Sequence, residues 1–222
     1  MKDNLSAYNS NDYDSRVRSV LPYYDEFHKQ AISLVEAMGF EEINWLDTGC
    51  GTGTLAQLAV NELDNIASFT LCDPSAEMLR AAVTKTESRF NYYNVSSEEM
   101  TFKEEFDVVT AIQSHHYLYS EGRKTATEHC YNALTEGGVY ISFENIMFSD
   151  SKADLIGEQR WRYFLEARQK SSDEINAHLS RRNRDFFPIT IEEHLSLLRE
   201  CGFRTANLFW LSYLQAGFFA IK

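Results

Sequence analysis

Two short stretches carry the residue types best suited to chemistry. Leu46-Asp47-Thr48-Gly49-Cys50-Gly51-Thr52-Gly53 is a glycine-rich turn after an apolar run, and Asp73 closes the next apolar run with Pro74 beside it. Glycines let a backbone turn sharply and approach a ligand closely, and a helix starting near Thr54 aims unpaired N–H groups into the same space. A carboxylate at Asp73 accepts hydrogen bonds from two vicinal hydroxyls, as on a ribose, while Pro74 offers a flat apolar edge to a base. A glycine-rich strand-to-helix turn alone is common in α/β domains. Followed by Asp73 in this order, it marks a nucleotide-like cofactor.

The spacing selects among such cofactors. A dinucleotide fingerprint reads GxGxxG, whereas the glycines here run GxGxG and Thr54 stands at the third dinucleotide position. Asp47, two residues before the first glycine, suits a ligand carrying an ammonium and a sulfonium better than a pyrophosphate. These features fit S-adenosylmethionine, with S-adenosylhomocysteine as its product. The segment Asp47 to Gly53 resembles motif I of the class I methyltransferases, and Leu71-Cys72-Asp73-Pro74-Ser75 resembles their second, ribose-binding motif. The resemblance implies an α/β fold: a three-layer, Rossmann-like sandwich with a seven-stranded, mostly parallel sheet and an antiparallel last strand. The cofactor-binding candidates are Asp47, Gly49, Cys50, Gly51, Gly53, Asp73 and Pro74, joined by Gln113 after the fourth strand and Ser96 after the third. Related enzymes often hold adenine with an acid near Val95, so here Ser96 or a backbone carbonyl takes that place.

Catalytic candidates cluster after the run Phe106 to Ile112, where Gln113-Ser114-His115-His116-Tyr117-Leu118 follows. A histidine titrates near neutrality and suits a general base on a substrate oxygen or nitrogen. His115 and His116 are therefore candidates, with Tyr13 as a further helper. The competing reading of the pair is structural, because small-molecule methyltransferases often carry a similar His-His-Leu that shapes the pocket floor. Adjacent histidines do not make a metal site unaided, and no metal is expected. Glu144 and Asn145 end the fifth strand, in a position to face substrate or simply to be solvated.

The elements that must position these residues alternate. Apolar runs at 43–46, 69–72, 91–95, 106–112 and 139–143 read as strands, and helices are expected near 54–63, 75–88, 121–134 and 190–201. Gly137-Gly138 and Gly202 are expected as turns before strands. The runs 206–213 and 217–222 lie too close together for anything but a hairpin, which makes the final strand antiparallel. The opening dozen residues are polar and expected to be loose, and Pro22 opens an amphipathic stretch to Met38.

Four parts of one domain follow: an N-terminal lid and helix over 1–38, a cofactor-binding core over 39–147, a helical cap over 148–188 and a final helix with a strand hairpin over 189–222. The cap holds eight of the 21 lysines and arginines, interleaved with Trp161, Tyr163 and Phe164. Arg181, Arg182 and Trp161 are its substrate-facing candidates, recognising an anionic group; the alternative is a solvated helix face.

At 222 residues, with 44% hydrophobic content, the chain supports one sizeable core. A net charge of −12 argues against extended nucleic-acid binding, leaving a small-molecule acceptor as the expected partner. No apolar stretch approaches the ~20 residues of a membrane span, and four dispersed cysteines suit a reducing cytoplasm.

From end to end the chain also resembles the carboxy-S-adenosylmethionine synthases of tRNA wobble-uridine modification. Tyr13-Asp14, Val17, Pro22, Tyr24, Leu134, Gly137-Gly138, Glu144, Glu193-His194 and Gly202-Phe203 carry that likeness. It implies a homodimer, an N-terminal segment folded over the cofactor, and a basic residue of the insertion reaching into the site. Three functions result: methyl transfer to a small or medium-sized acceptor, carboxylation of the cofactor, or a cofactor-binding partner subunit without chemistry. Retention of GxGxG, from which the synthases depart, favours methyl transfer.

Overall fold

The computed structural model describes residues 9–87 and 89–222. Seven strands form one sheet: β1 (Ile43–Thr48), β2 (Ile66–Cys72), β3 (Asn91–Tyr93), β4 (Phe106–Ile112), β5 (Leu134–Asn145), β6 (Thr205–Ser212) and β7 (Gln215–Ile221). Their order is β3-β2-β1-β4-β5-β7-β6, and β7 runs antiparallel to both of its neighbours. The switch in strand order lies between β1 and β4, where their carboxyl ends open a crevice. The fold is thus the Rossmann-like, three-layer one expected.

Among the described residues, eight α-helices complete the layers: α1 (Tyr13–Val20), α2 (Tyr24–Met38), α3 (Thr54–Glu62), α4 (Ala76–Lys85), α5 (Ser120–Ala133), α6 (Ser151–Ala167), α7 (Ser172–Leu179) and α8 (Ile191–Glu200). In α2, Phe27, Ala31 and Val35 recur at helical spacing and face the sheet, with Phe27 stacked on Phe143 at 5.0 Å between ring centroids. One apolar core joins α1, α2, α3 and α6 to the sheet, and a second joins α5 and α8 to its other side. The polar side-chain N-caps Ser75, Asp150, Ser171 and Thr190 each accept a main-chain N–H and start α4, α6, α7 and α8.

Two expectations need adjusting. Helix α1 was not read from the sequence, although Tyr13, Val17 and Val20 recur at helical spacing among its charged residues; Val17 and Val20 are buried in the core that includes Trp161 and Leu165 of the cap. Of the polar opening segment, residues 1–8 lie outside the described residues. Gly137-Gly138 does not separate helix from strand: α5 passes directly into β5, and the glycines lie in an irregular stretch between the pairs Phe106–Leu134 and Val108–Val139.

Candidate active site

The glycine turn leaves β1 with Gly49, Gly51 and Gly53 all at positive φ, between 55° and 75°. A Cβ on Gly49 would lie 2.4 Å from Cβ of Ser114, so glycine is needed here for space as well as for conformation. Asp73 ties this turn to the end of β2: Oδ2 accepts from Gly51 N at 2.9 Å and Oδ1 from Ser75 N at 2.8 Å. The carboxylate borders a cavity of about 100 Å3 together with Gly49, Gly51, Pro74, Ser96 and Gln113. Ser97 and Glu98 line it too, beyond the residues expected from sequence.

Asp47 and Cys50 line a separate small cavity that shares Tyr13, Gly49 and Gly51 with the Asp73 cavity. Burial, opposed by a hydrogen bond from Thr110 Oγ1 at 2.7 Å and reinforced by Asp73, raises the Asp47 carboxyl to about 7. A carboxylate so poor in positive partners has room for a ligand cation. Burial also pushes the Cys50 thiol well up, which makes it a space-filler and not a nucleophile.

Tyr13, at the start of α1, borders both of these cavities and a third of about 30 Å3. That third, central cavity shares Tyr13, Gln113 and Tyr117 with the Asp73 cavity and is closed by His116, Asn145, Trp161, His178 and Arg181. Burial, aided by Tyr24, Tyr117 and Asp73, keeps the Tyr13 hydroxyl far above its ordinary value. It is therefore a hydrogen-bonding group at neutral pH and not a base. Helix α1 is held over the glycine turn by Asp14, which accepts from Lys85 Nζ at 2.6 Å and Thr52 Oγ1 at 2.7 Å.

The adjacent histidines part company. His115 Nδ1 lies 3.2 Å from the Tyr140 hydroxyl, and burial, only partly offset by Glu144, lowers its pKa to about 4. His116 turns the other way: Nδ1 is 2.8 Å from Glu144 Oε2 and Nε2 is 3.3 Å from Asn145 Nδ2, on the wall of the central cavity. Burial would raise the Glu144 carboxyl, but the hydrogen bond and charge of His116 together with His115 and His194 outweigh it and the carboxyl is lowered, which favours the anion. This arrangement assigns the ring proton to Nδ1 and leaves Nε2 unprotonated, where it accepts from Asn145 Nδ2.

Asn145 is itself fixed by a closed ring of three buried carboxamides. Asn145 Nδ2 donates to Gln113 Oε1 (2.9 Å), Gln113 Nε2 to Gln215 Oε1 (3.0 Å), and Gln215 Nε2 to Asn145 Oδ1 (2.7 Å). A further bond from Gln113 Nε2 to the Phe143 carbonyl sets the direction of the ring. Sequence reasoning missed Gln215, Tyr117 and His178. Only Gln215, a polar residue opening an apolar strand, left a trace.

The cap residues separate as well. Trp161 borders the central cavity and donates from Nε1 to the Val20 carbonyl at 2.8 Å, pinning α6 to the end of α1. Arg181 borders the cavity and pairs with Asp185 at 3.0 Å. Arg182, expected beside it, is held elsewhere, pairing with Asp154 at 2.8 Å and Glu158 at 3.1 Å and donating to the Ile146 carbonyl.

A family described as a methyltransferase domain matches residues 46–140, which span the glycine turn, Asp73 and the histidine pair. The chain carries a class I, S-adenosylmethionine-dependent methyltransferase domain. Its residues fit that cofactor: the Asp73 carboxylate borders the first cavity, and the buried acid Asp47 lines the small cavity that shares the glycine turn with it. The methyltransferase chain is 23% identical to a carboxy-S-adenosyl-L-methionine synthase of Staphylococcus epidermidis, over 98% of this chain and 95% of that protein. A ubiquinone biosynthesis O-methyltransferase of Hydrogenovibrio crunogenus is 29% identical over 44% of this chain and 39% of its own. Among solved structures, a Haloferax volcanii complex with the Trm112 methyltransferase activator aligns with TM-score 0.72 at 14% identity, covering 100% of this chain and 98% of that one. Human N-acetylserotonin methyltransferase, solved with S-adenosylmethionine, aligns with TM-score 0.64 at 16% identity, covering 88% and 51%. At these identities the solved structures speak for the fold.

Proposed function

We propose that this methyltransferase acts on a small or medium-sized acceptor whose reacting atom enters the central cavity, where His116 serves as general base. The observation that carries this reading is the contact between His116 and Glu144, which leaves Nε2 unprotonated at the wall of the cavity that adjoins the cofactor cavity, where an acceptor's proton would displace its bond from Asn145. Bound S-adenosylmethionine supplies an electrophilic methyl on a sulfonium. Asp73 and Ser96 orient the nucleoside, Gly49, Gly51 and Gly53 admit it closely, and Asp47 faces its ammonium. Tyr13 closes the junction between cavities and excludes water. His116 Nε2 accepts the acceptor's proton, and Glu144 steadies the charge on the ring. Isotope-labelled methyl transfer to a panel of small hydroxyl, amine and thiol acceptors tests this reading: a labelled product that falls sharply in His116→Asn supports it, and undiminished transfer in that variant removes the base assignment.

A carboxylated cofactor is the second reading, favoured by the end-to-end likeness to proteins named carboxy-S-adenosyl-L-methionine synthase. Arg181 would then hold the carboxylate. Mass spectrometry of small molecules released from purified protein separates the two: S-adenosylmethionine or S-adenosylhomocysteine supports methyl transfer, and a species heavier by one carboxyl group supports the second. We further infer a cytoplasmic protein, and a homodimer by likeness to the synthases. The activator-bound neighbour makes a Trm112-type subunit the rival partner, and light scattering of the purified chain distinguishes these assemblies.

A further inference from the structure

The central cavity, at about 30 Å3, holds only a few atoms, so most of any acceptor must lie elsewhere. Next to it is a larger cavity of about 240 Å3 between α1, α6 and α7, and the two share Val20, His178 and Arg181. Its apolar wall includes Val20, Leu165 and Ile175. The charged groups around it are Arg16, Lys170 and Arg181 against a single acid, Glu174. Each cation has an acidic neighbour: Arg16 lies 3.6 Å from Asp12, Lys170 3.6 Å from Glu174, and Arg181 3.0 Å from Asp185. Asp12 and Asp185 stand outside the lining, so the lining itself carries three cations and one acid.

Both ring nitrogens of His178 are buried without a hydrogen-bond partner at the boundary between the two cavities. Burial, with Arg181 and Lys170 adding to it, holds this imidazole neutral, with a pKa lowered to about 4. A neutral ring carries one donor and one acceptor and suits a polar group in the middle of a ligand. An apolar wall, a neutral polar waist and a cationic rim match a molecule of the same pattern.

Resting on the methyl-transfer reading, we propose that the acceptor is an amphipathic anion whose reacting end occupies the central cavity and whose apolar body and carboxylate or phosphate occupy the cavity between α1, α6 and α7. Guanidinium and ammonium groups bind such anions through charge-assisted hydrogen bonds, whereas an uncharged isostere lacks that attraction.

The test uses 2-naphthoate and 2-naphthamide, which share a shape and differ in charge. Calorimetry on the full chain first titrates S-adenosylhomocysteine, then each probe into the loaded protein. Naphthoate is expected to bind at least about tenfold more tightly than naphthamide, and Lys170→Gln and Arg181→Gln each to lower naphthoate affinity by about tenfold. Lys170 is on the surface, so its variant keeps the test open should the Arg181 variant fail to fold. Equal affinities for the two probes, absence of naphthoate binding, or naphthoate binding unchanged in the Lys170 variant would each overturn the proposal. Discrimination between the probes by a protein that does not bind S-adenosylhomocysteine would retain the anion site and remove the methyl-transfer reading. S-adenosylhomocysteine binding without discrimination would do the reverse.

Discussion

Glu144 holds His116 twice: its Oε2 accepts from the His116 main-chain N–H at 2.9 Å and lies 2.8 Å from Nδ1 of the same residue's ring. Backbone and side chain are thus set by one buried carboxylate, which also accepts from His115 N at 3.3 Å. The imidazole has one tautomer and one direction in which to act.

Replacing Glu144 with Gln leaves a carbonyl oxygen to accept from the His116 main-chain N–H and Nδ1 but removes the negative charge that steadies a protonated ring. Turnover of Glu144→Gln is expected to fall by about 100-fold, with cofactor affinity little changed. Steady-state kinetics beside cofactor titration checks this; a parallel loss of both would mean that Glu144 acts on folding alone.

Cofactor affinity should depend on pH through Asp47. With its carboxyl raised to about 7 in the ligand-free protein, Asp47 is largely protonated at pH 6. Binding a ligand ammonium favours the anion, so the proton leaves on binding. Affinity is expected to rise as pH increases toward 7 and to level off above it. Calorimetry at pH 6 in two buffers of different ionisation enthalpy should detect the released proton in the parent chain and not in Asp47→Asn.

The bond between Asp14 and Lys85 is expected to govern how firmly α1 closes over the cofactor turn. Asp14→Ala leaves Lys85, Thr52 and Thr54 without their shared acceptor. S-adenosylhomocysteine should bind about tenfold more weakly, mostly through faster release. Stopped-flow displacement measures that rate, and an unchanged rate would show that α1 does not close the site.

Gly49→Ala places a methyl against Ser114 at a residue with φ of +66°. Destabilisation of about 1–3 kcal/mol is expected, with loss of most cofactor binding. Relief of the steric part by Ser114→Gly, read by thermal melting, would identify the clash as its cause.

Much of the fold was legible because local pattern and tertiary role agree. Leu46 to Gly53 reads as strand, turn and helix start from apolar run and glycines alone, and Asp73 follows one strand later. The short link between β6 and β7 allows only a hairpin. Helix α1 escaped because one short stripe of Tyr13, Val17 and Val20 among charged residues is a weak signal without the cap against which it packs. His115 and His116 are indistinguishable as neighbours in a chain, yet the short 3₁₀ turn that carries them sends one ring to Tyr140 and the other to Glu144.

Arg181 and Arg182 divide in the same way. Both are arginines in a basic stretch just after α7, but Asp154 and Glu158, one turn apart on α6, claim Arg182, and of the two Arg181 borders the central cavity. Residue type and spacing alone determined the cofactor class and the sheet, since glycine conformations, strand alternation and a carboxylate one strand later act over short stretches of chain. The tertiary structure decided which base, which arginine and which amides meet, because those choices depend on contacts between residues distant in sequence. The ring of Gln113, Asn145 and Gln215 is the plainest instance: three polar side chains become one directional network only when β4, β5 and β7 lie side by side.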